Sequence, residues 1–147
     1  MKFLSKMENI VINENDDYTC RNLSYIKFKD IDFSIYKPIS FFRSDFRGSR
    51  FENIKFQNNY FDRADFIGST FINCQFINVN FGACEMKSCF FVDSVFEHCV
   101  FDNTSIQESS FQKCILNYIC LFNYLFISSQ MSAKPYFIGS TGISLLW

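Results

Sequence analysis

Every fifth residue from Phe41 to Phe126 is apolar, and fourteen of those eighteen positions are phenylalanine. A period of five fits neither the 3.6 of an α-helix nor the 2 of a β-strand. A straight helix would smear the aromatic residues around its circumference, and a flat strand would alternate them between faces. A chain that turns a corner once per five residues resolves the conflict, because the same position then points to a common axis on every side. The period therefore predicts a solenoid, and a repeat has to be settled before any single element is assigned. Phe46, Phe51, Phe56, Phe61, Phe66, Phe71, Phe76, Phe81, Phe91, Phe96, Phe101 and Phe111, with Met86 in step among them, form the expected core.

A second position repeats with the first. Two residues before each centre stand mostly small residues, among them Ser44, Ser49, Ala64, Ser69, Cys74, Cys84, Cys89, Ser94, Cys99, Ser109 and Cys114. One large and one small inward residue per side fill a narrow tube at protein density. Five of the seven cysteines are absorbed by this pattern; with an odd count, no CxxC pair and His98 as the sole histidine, neither a disulfide framework nor a zinc site fits. The remaining positions are rich in Asp, Asn, Arg, Lys, Gln, Glu and Gly, which suits solvent and tight turns.

Ser44-Asp45-Phe46-Arg47-Gly48, Ala64-Asp65-Phe66-Ile67-Gly68 and Val79-Asn80-Phe81-Gly82-Ala83 run small residue, Asp or Asn, Phe, then two variable residues. Over about residues 21–130 the sequence resembles the pentapeptide repeat family. The resemblance implies an all-β fold, a right-handed quadrilateral parallel β-helix with twenty residues per coil and about five to six coils. At about 4.8 Å between stacked strands the rod is about 25 to 30 Å long. Leu23, Phe28 and Phe33 also step by five, but Phe33 to Phe41 is eight residues, so a bulge or loop around the proline of 34–40 is expected. Residues 1–20 read as a polar N-terminal cap with one short strand, 21–131 as the β-helix, and 132–147 as a C-terminal cap or dimerisation segment.

Positions twenty apart stack in such a coil, so surface ladders follow directly. Asp45, Asp65 and Glu85 make an acidic one. In this family the quinolone-resistance and mycobacterial fluoroquinolone-resistance proteins present an acidic rod resembling duplex DNA and bind DNA gyrase or topoisomerase IV, and the resemblance carries that reading to this ladder. Arg43 and Arg63 are placed at the same corner, where they are expected to neutralise it in part. Residues 41–114 carry nine Asp+Glu (45, 52, 62, 65, 85, 93, 97, 102, 108) and seven Lys+Arg (43, 47, 50, 55, 63, 87, 113), so 9 − 7 leaves a net charge of only −2. Asn53 with Asn73, and Asn58 with Asn78, stack at corners, where Asn tolerates left-handed backbone. Ile67, Ile72, Ile77 and Val92 spread over three sides and read as scattered apolar groups rather than a patch.

Phe90 stands one place before a centre and should point outward, toward a partner. Beyond Cys114 the outward positions themselves turn apolar, including Phe122, Tyr124, Leu125, Tyr136, Phe137, Leu145, Leu146 and Trp147. A solenoid end exposes its core and unpaired strand edges. This end is therefore expected to be covered, either by residues 132–147 folding back or by a second copy; dimerisation through the C-terminal end in quinolone-resistance relatives adds weight to the latter.

No enzyme motif is present. His98 and Cys99 are adjacent in sequence, but Cys99 occupies an inward position and His98 an outward one. No catalytic residue, cofactor or metal is expected, nor a nucleic acid or membrane partner. Lys2, Lys6 and Glu8 interrupt any signal-like apolar run, and 115–127 is too short to span a bilayer. The reading is a cytoplasmic, non-enzymatic protein-protein interaction module, with a gyrase- or topoisomerase IV-binding DNA mimic as the alternative.

Overall fold

The structure, a computed structural model, describes residues 9–120 together with the backbone of three later strands at 125–127, 130–131 and 137–138. Thirteen short strands run in chain order: β1 Lys27–Lys29, β2 Arg50–Glu52, β3 Lys55–Gln57, β4 Thr70–Ile72, β5 Gln75–Ile77, β6 Phe90–Val92, β7 Val95–Glu97, β8 Ser105–Gln107, β9 Ser110–Gln112, β10 Ile115–Asn117, β11 Leu125–Ile127, β12 Gln130–Met131 and β13 Phe137–Ile138. They stack in parallel into a six-stranded sheet (β1-β2-β4-β6-β9-β12), a five-stranded sheet (β13-β10-β7-β5-β3) and a pair, β11-β8. Phe51 pairs with Phe71, and Phe71 with Phe91, at twenty-residue intervals. The fold is all-β, a right-handed quadrilateral parallel β-helix of about five coils, as the period predicts.

The four sides are of two kinds. Those centred on Phe51 and Phe56 are β-strands in every coil from 50 to 117. Those centred on Phe41 and Phe46 begin as turns, in which the N–H of the residue three places on returns to the carbonyl of the centre, as in Ser44 to Phe41 at 3.1 Å, Ser49 to Phe46 at 3.0 Å and Ala64 to Phe61 at 2.9 Å, and the Phe46 side becomes strand at β8 and β11. On all four sides the residue two beyond the centre has positive φ, at every fifth position from Arg43 to Tyr118, and only Gly48 and Gly68 there are glycine. Arg43, Arg63, Asp93, His98, Glu108, Lys113 and Tyr118 adopt this backbone at a cost of about 1–2 kcal/mol each. Packing and ladder hydrogen bonds hold them in it. Stacked Asn side chains help at two corners: Asn73 Nδ2 donates to Asn53 Oδ1 at 3.0 Å, and Asn78 Nδ2 to Asn58 Oδ1 at 2.7 Å.

Inside, the phenylalanines form four columns. Along each column rings stack nearly parallel: Phe41, Phe61 and Phe81 at 5.0 and 5.5 Å, Phe46 on Phe66 at 4.9 Å, Phe51 on Phe71 at 4.6 Å, Phe56 on Phe76 at 5.1 Å. Between columns they meet edge to face, as in Phe56 against Phe61 at 5.2 Å and 81°. Both geometries suit the aromatic quadrupole. All twelve expected core phenylalanines are at most 3% exposed.

The first described coil carries Tyr18, Leu23, Phe28 and Phe33 at the centres, all buried. It is three residues longer than the others, so β1 pairs with β2 at an offset of 23 (Lys27 with Arg50). The extra length lies where the period breaks. A single 3-10 turn at Phe33–Ile35 is capped by the Asp32 side chain, Lys37 and Pro38 are exposed, and Ile39 is buried two residues before Phe41 in the place of the small inward residue. Ahead of this coil, Asn9 pairs with Lys27, and Ile10 and Ile12 pack partly against the core.

Phe66→Ala removes a ring stacked on Phe46 and touching Phe61 and Phe71. Denaturant titration is expected to show a loss of about 3–5 kcal/mol, since neighbouring coils cannot collapse into the gap without breaking register.

Candidate functional site

The acidic ladder is real as geometry. Asp45, Asp65 and Glu85 pair rung by rung on the side centred on Phe46, between Asn22 below and Ser105 above. Much of its charge is engaged locally. Asp45 Oδ1 accepts from the backbone N–H of Arg47 at 3.0 Å, and Asp65 Oδ1 from that of Ile67 at 2.9 Å. Asn22, Asp32 and Asn80 do the same for the N–H two places on. An Asp or Asn before the centre thus caps a turn N–H.

The cation that neutralises the ladder differs from expectation. Arg47, rather than Arg43 or Arg63, grips Asp45 with two nitrogens (2.9 and 2.5 Å) and reaches Asp65 at 3.7 Å. Arg47 leaves the centre one place on, in the same direction as the carboxylates, whereas Arg43 has turned the corner and lies over the Phe42 ring at 5.2 Å. The Arg47 guanidinium holds the Asp45 carboxyl below the usual carboxylate range.

The small inward position carries more than packing. Its hydroxyls and thiols donate to the centre carbonyl of the coil below: Ser69 to Phe46 at 2.7 Å, Cys84 to Phe61 at 2.8 Å, Cys89 to Phe66 at 3.0 Å, Cys99 to Phe76 at 3.3 Å, Thr104 to Phe81 at 2.7 Å. Cysteine is here a buried donor as well as a small hydrophobe. Burial pushes the thiols of Cys74, Cys89 and Cys99 up to about 12, that of Cys114 up to about 11, and raises Cys84 as well. Such thiols are inert. His98 lies outside, stacked on Tyr118 at 4.8 Å, while Cys99 is fully buried.

Ile72 and Val92 are not scattered. They occupy neighbouring rungs of one row on the six-stranded side, and Phe90, 51% exposed, stands on the same strand as Val92 and beside Thr70. Ile77 lies on the other strand side, beside Gln57 and Glu97, and Ile67 follows Phe66 on the Phe46 side, so neither belongs to this row. A shallow cleft lies on the side centred on Phe61, at Asp62, Asn80, Gly82 and Asp102. Among the described residues no three His, Cys, Asp or Glu side chains gather to hold a metal.

The pentapeptide repeats family model matches residues 44–82 in eight copies. The chain carries pentapeptide repeats. Rfr23, a pentapeptide repeat protein from the cyanobacterium Cyanothece 51142, is 9% identical over 83% of this chain and 88% of its own, with a TM-score of 0.50. A pentapeptide repeat protein from the Arabidopsis thaliana thylakoid lumen is 19% identical over 64% of this chain and 67% of its own, with a TM-score of 0.44. QnrB1, a plasmid-mediated fluoroquinolone resistance protein, is 16% identical over 84% and 70%, with a TM-score of 0.39. At 9% identity the likeness to Rfr23 speaks to the fold alone. No curated protein matches the sequence.

Leu125 and Phe137 fall in β11 and β13, whose side chains lie outside the described residues, as do Phe122, Tyr124, Tyr136, Leu145, Leu146 and Trp147. The backbone of β13 pairs with β10, Leu116 opposite Phe137.

The buried thiols set a pH dependence. A raised thiol pKa keeps the folded state protonated after the unfolded chain begins to ionise, so the thiols' contribution to stability should be level from pH 7 to about 8.5 and fall above it. The slope is about 1.4 kcal/mol per pH unit per buried thiol. Chemical denaturation between pH 7 and 10.5 reads this directly. At pH 8 a thiol reagent should label exposed Cys20 rapidly and Cys74, Cys84, Cys89 and Cys99 only after unfolding.

Proposed function

We propose that this chain is a non-enzymatic, cytoplasmic protein-protein interaction module, a rigid rod that presents side chains to a partner at fixed rungs. The observation that supports this most is the division of chemistry between inside and outside. The interior thiols are buried hydrogen-bond donors, while the outward rows from β2 to β9 hold their side chains in twenty-residue register. A solenoid binds with little ordering cost, because its neighbouring coils already hold each surface residue in place. Seven free cysteines suit a reducing compartment.

The second reading, a DNA mimic that binds and protects or inhibits DNA gyrase or topoisomerase IV, is favoured by the Asp45-Asp65-Glu85 ladder. It is opposed by Arg47, which covers two of the three carboxylates. B-DNA presents about one negative charge per 1.7 Å of axis, and this side falls far below that density.

A supercoiling assay with purified gyrase, with and without a fluoroquinolone, separates the readings. The interaction-module reading expects no effect at low micromolar concentration, together with saturable capture of a cellular protein that free rod competes away. Inhibition or drug rescue by the parent protein, strengthened in Arg47→Ala, would establish the mimic instead.

A further inference from the structure

The side centred on Phe61 carries an incomplete row. One place past its centres stand Phe42, Asp62, Gly82 and Asp102, held coil on coil by the backbone: Arg63 N–H donates to the Gly82 carbonyl at 2.8 Å and Ala83 N–H to the Asp102 carbonyl at 2.7 Å. Between two carboxylates the row therefore holds a residue with no side chain. Backbone conformation does not demand glycine there, since only Gly48 and Gly68 have positive φ among the described glycines.

Oxygens converge on the gap. A Cβ at Gly82 would stand 3.0 Å from Asn80 Oδ1, 3.1 Å from Asp62 Oδ1 and 3.8 Å from the Asp102 carbonyl oxygen. Asp102 Oδ1 accepts no hydrogen bond although it is closed to solvent. Asp102 as a whole is partly exposed and lines the cleft, so a turn about its last side-chain bond brings that oxygen into the opening. Asp62 and Asp102 cap no turn N–H, unlike the Asp and Asn residues that precede the centres, and among the described residues neither makes an ion pair. Arg63 lines the same cleft without pairing to either, so 1 − 2 leaves the cleft a net charge of −1.

We propose that this gap receives an arginine side chain of a partner protein, its guanidinium standing along the rod and donating to Asp62 at one end and to Asp102 at the other. The proposal rests on the reading of the chain as a protein-protein interaction module and names a contact by which that module holds its partner. A carboxylate oxygen closed to water and left without a donor is costly, and a donor brought by the partner relieves that cost. Distance selects guanidinium over ammonium. Rungs two apart are separated by about 9.6 Å, whereas two N–H···O bonds of about 2.9 Å to one ammonium nitrogen span at most about 5.8 Å. A guanidinium carries donors on opposite edges and adds its own width, and the lean of Asp62 toward Gly82 closes the remainder.

The test is a titration of the isotope-labelled full chain with Nα-acetyl-arginine amide, followed through backbone amide NMR shifts. Saturable shifts are expected at Gly82, Ala83 and Asn103, in the millimolar range for a single side chain, with Nα-acetyl-lysine amide roughly fivefold weaker and the neutral isostere Nα-acetyl-citrulline amide without effect. Gly82→Ser fills the gap, and Asp102→Asn removes one charge at nearly constant shape. Each should weaken the arginine response by roughly fivefold or more, with a thermal midpoint within a few degrees of the parent. Absence of a saturable arginine response overturns the proposal, as does an equal response to the citrulline probe or a response that survives both variants. Calcium chloride that reproduces the shifts at lower concentration makes this an inorganic cation site and overturns it too. Failure of the arginine titration alongside intact capture of a cellular protein by the rod removes this contact and leaves the interaction module standing.

Discussion

Stacking of phenylalanine on phenylalanine, one coil apart, is the contact on which the rest of the molecule depends. Phenylalanine rings stacked in a column sit 4.5–5.5 Å apart in this protein's core, close to the spacing that parallel backbone hydrogen bonding imposes on the strands. The two requirements reinforce each other. A coil of any length other than twenty would move each ring off its column, and the one coil that is longer, around residues 34–40, ejects Lys37 and Pro38 to keep Phe28 over Phe51 and Phe33 over Phe56.

From that constraint the backbone follows. Because four corners must close each coil, residues as unsuited to left-handed backbone as Arg43 and Lys113 adopt it. Their local preference, about 1–2 kcal/mol each, yields to many aromatic contacts and paired hydrogen bonds. The inward Ser, Thr and Cys serve the same end. Most of them tether a carbonyl of the coil below and fill the space beside the rings, so a residue type associated with reactivity becomes part of the scaffold.

The surface is then a set of rows whose chemistry is decided residue by residue. The turn sides use Asp and Asn to cap backbone N–H groups, which reduces the charge those residues offer a partner. The strand sides need no such caps, because their N–H groups bond within the sheets, and are free to carry Thr70, Ile72, Phe90 and Val92. Binding on a rod of this kind depends on which residues share a side and which neighbours occupy them first.

The period of five, the twelve core phenylalanines, the inward cysteines, the outward Phe90 and the break near Pro38 were all legible in the sequence. They rest on spacing alone, and spacing survives any detail of conformation. The identity of the cation on the acidic ladder was not legible, because Arg43 and Arg47 lie equally close to Asp45 in sequence and differ only in which side of a corner they leave. The contiguity of Ile72 and Val92 was legible from their twenty-residue spacing, but it is masked when Ile67 and Ile77, which lie on other sides, are grouped with them. The sequence by itself determined a coil of twenty residues and what fills it, since a narrow tube admits only one repeating pattern of large and small. Only the tertiary structure decided which surface groups are neighbours, because that depends on the direction in which each side chain leaves a corner.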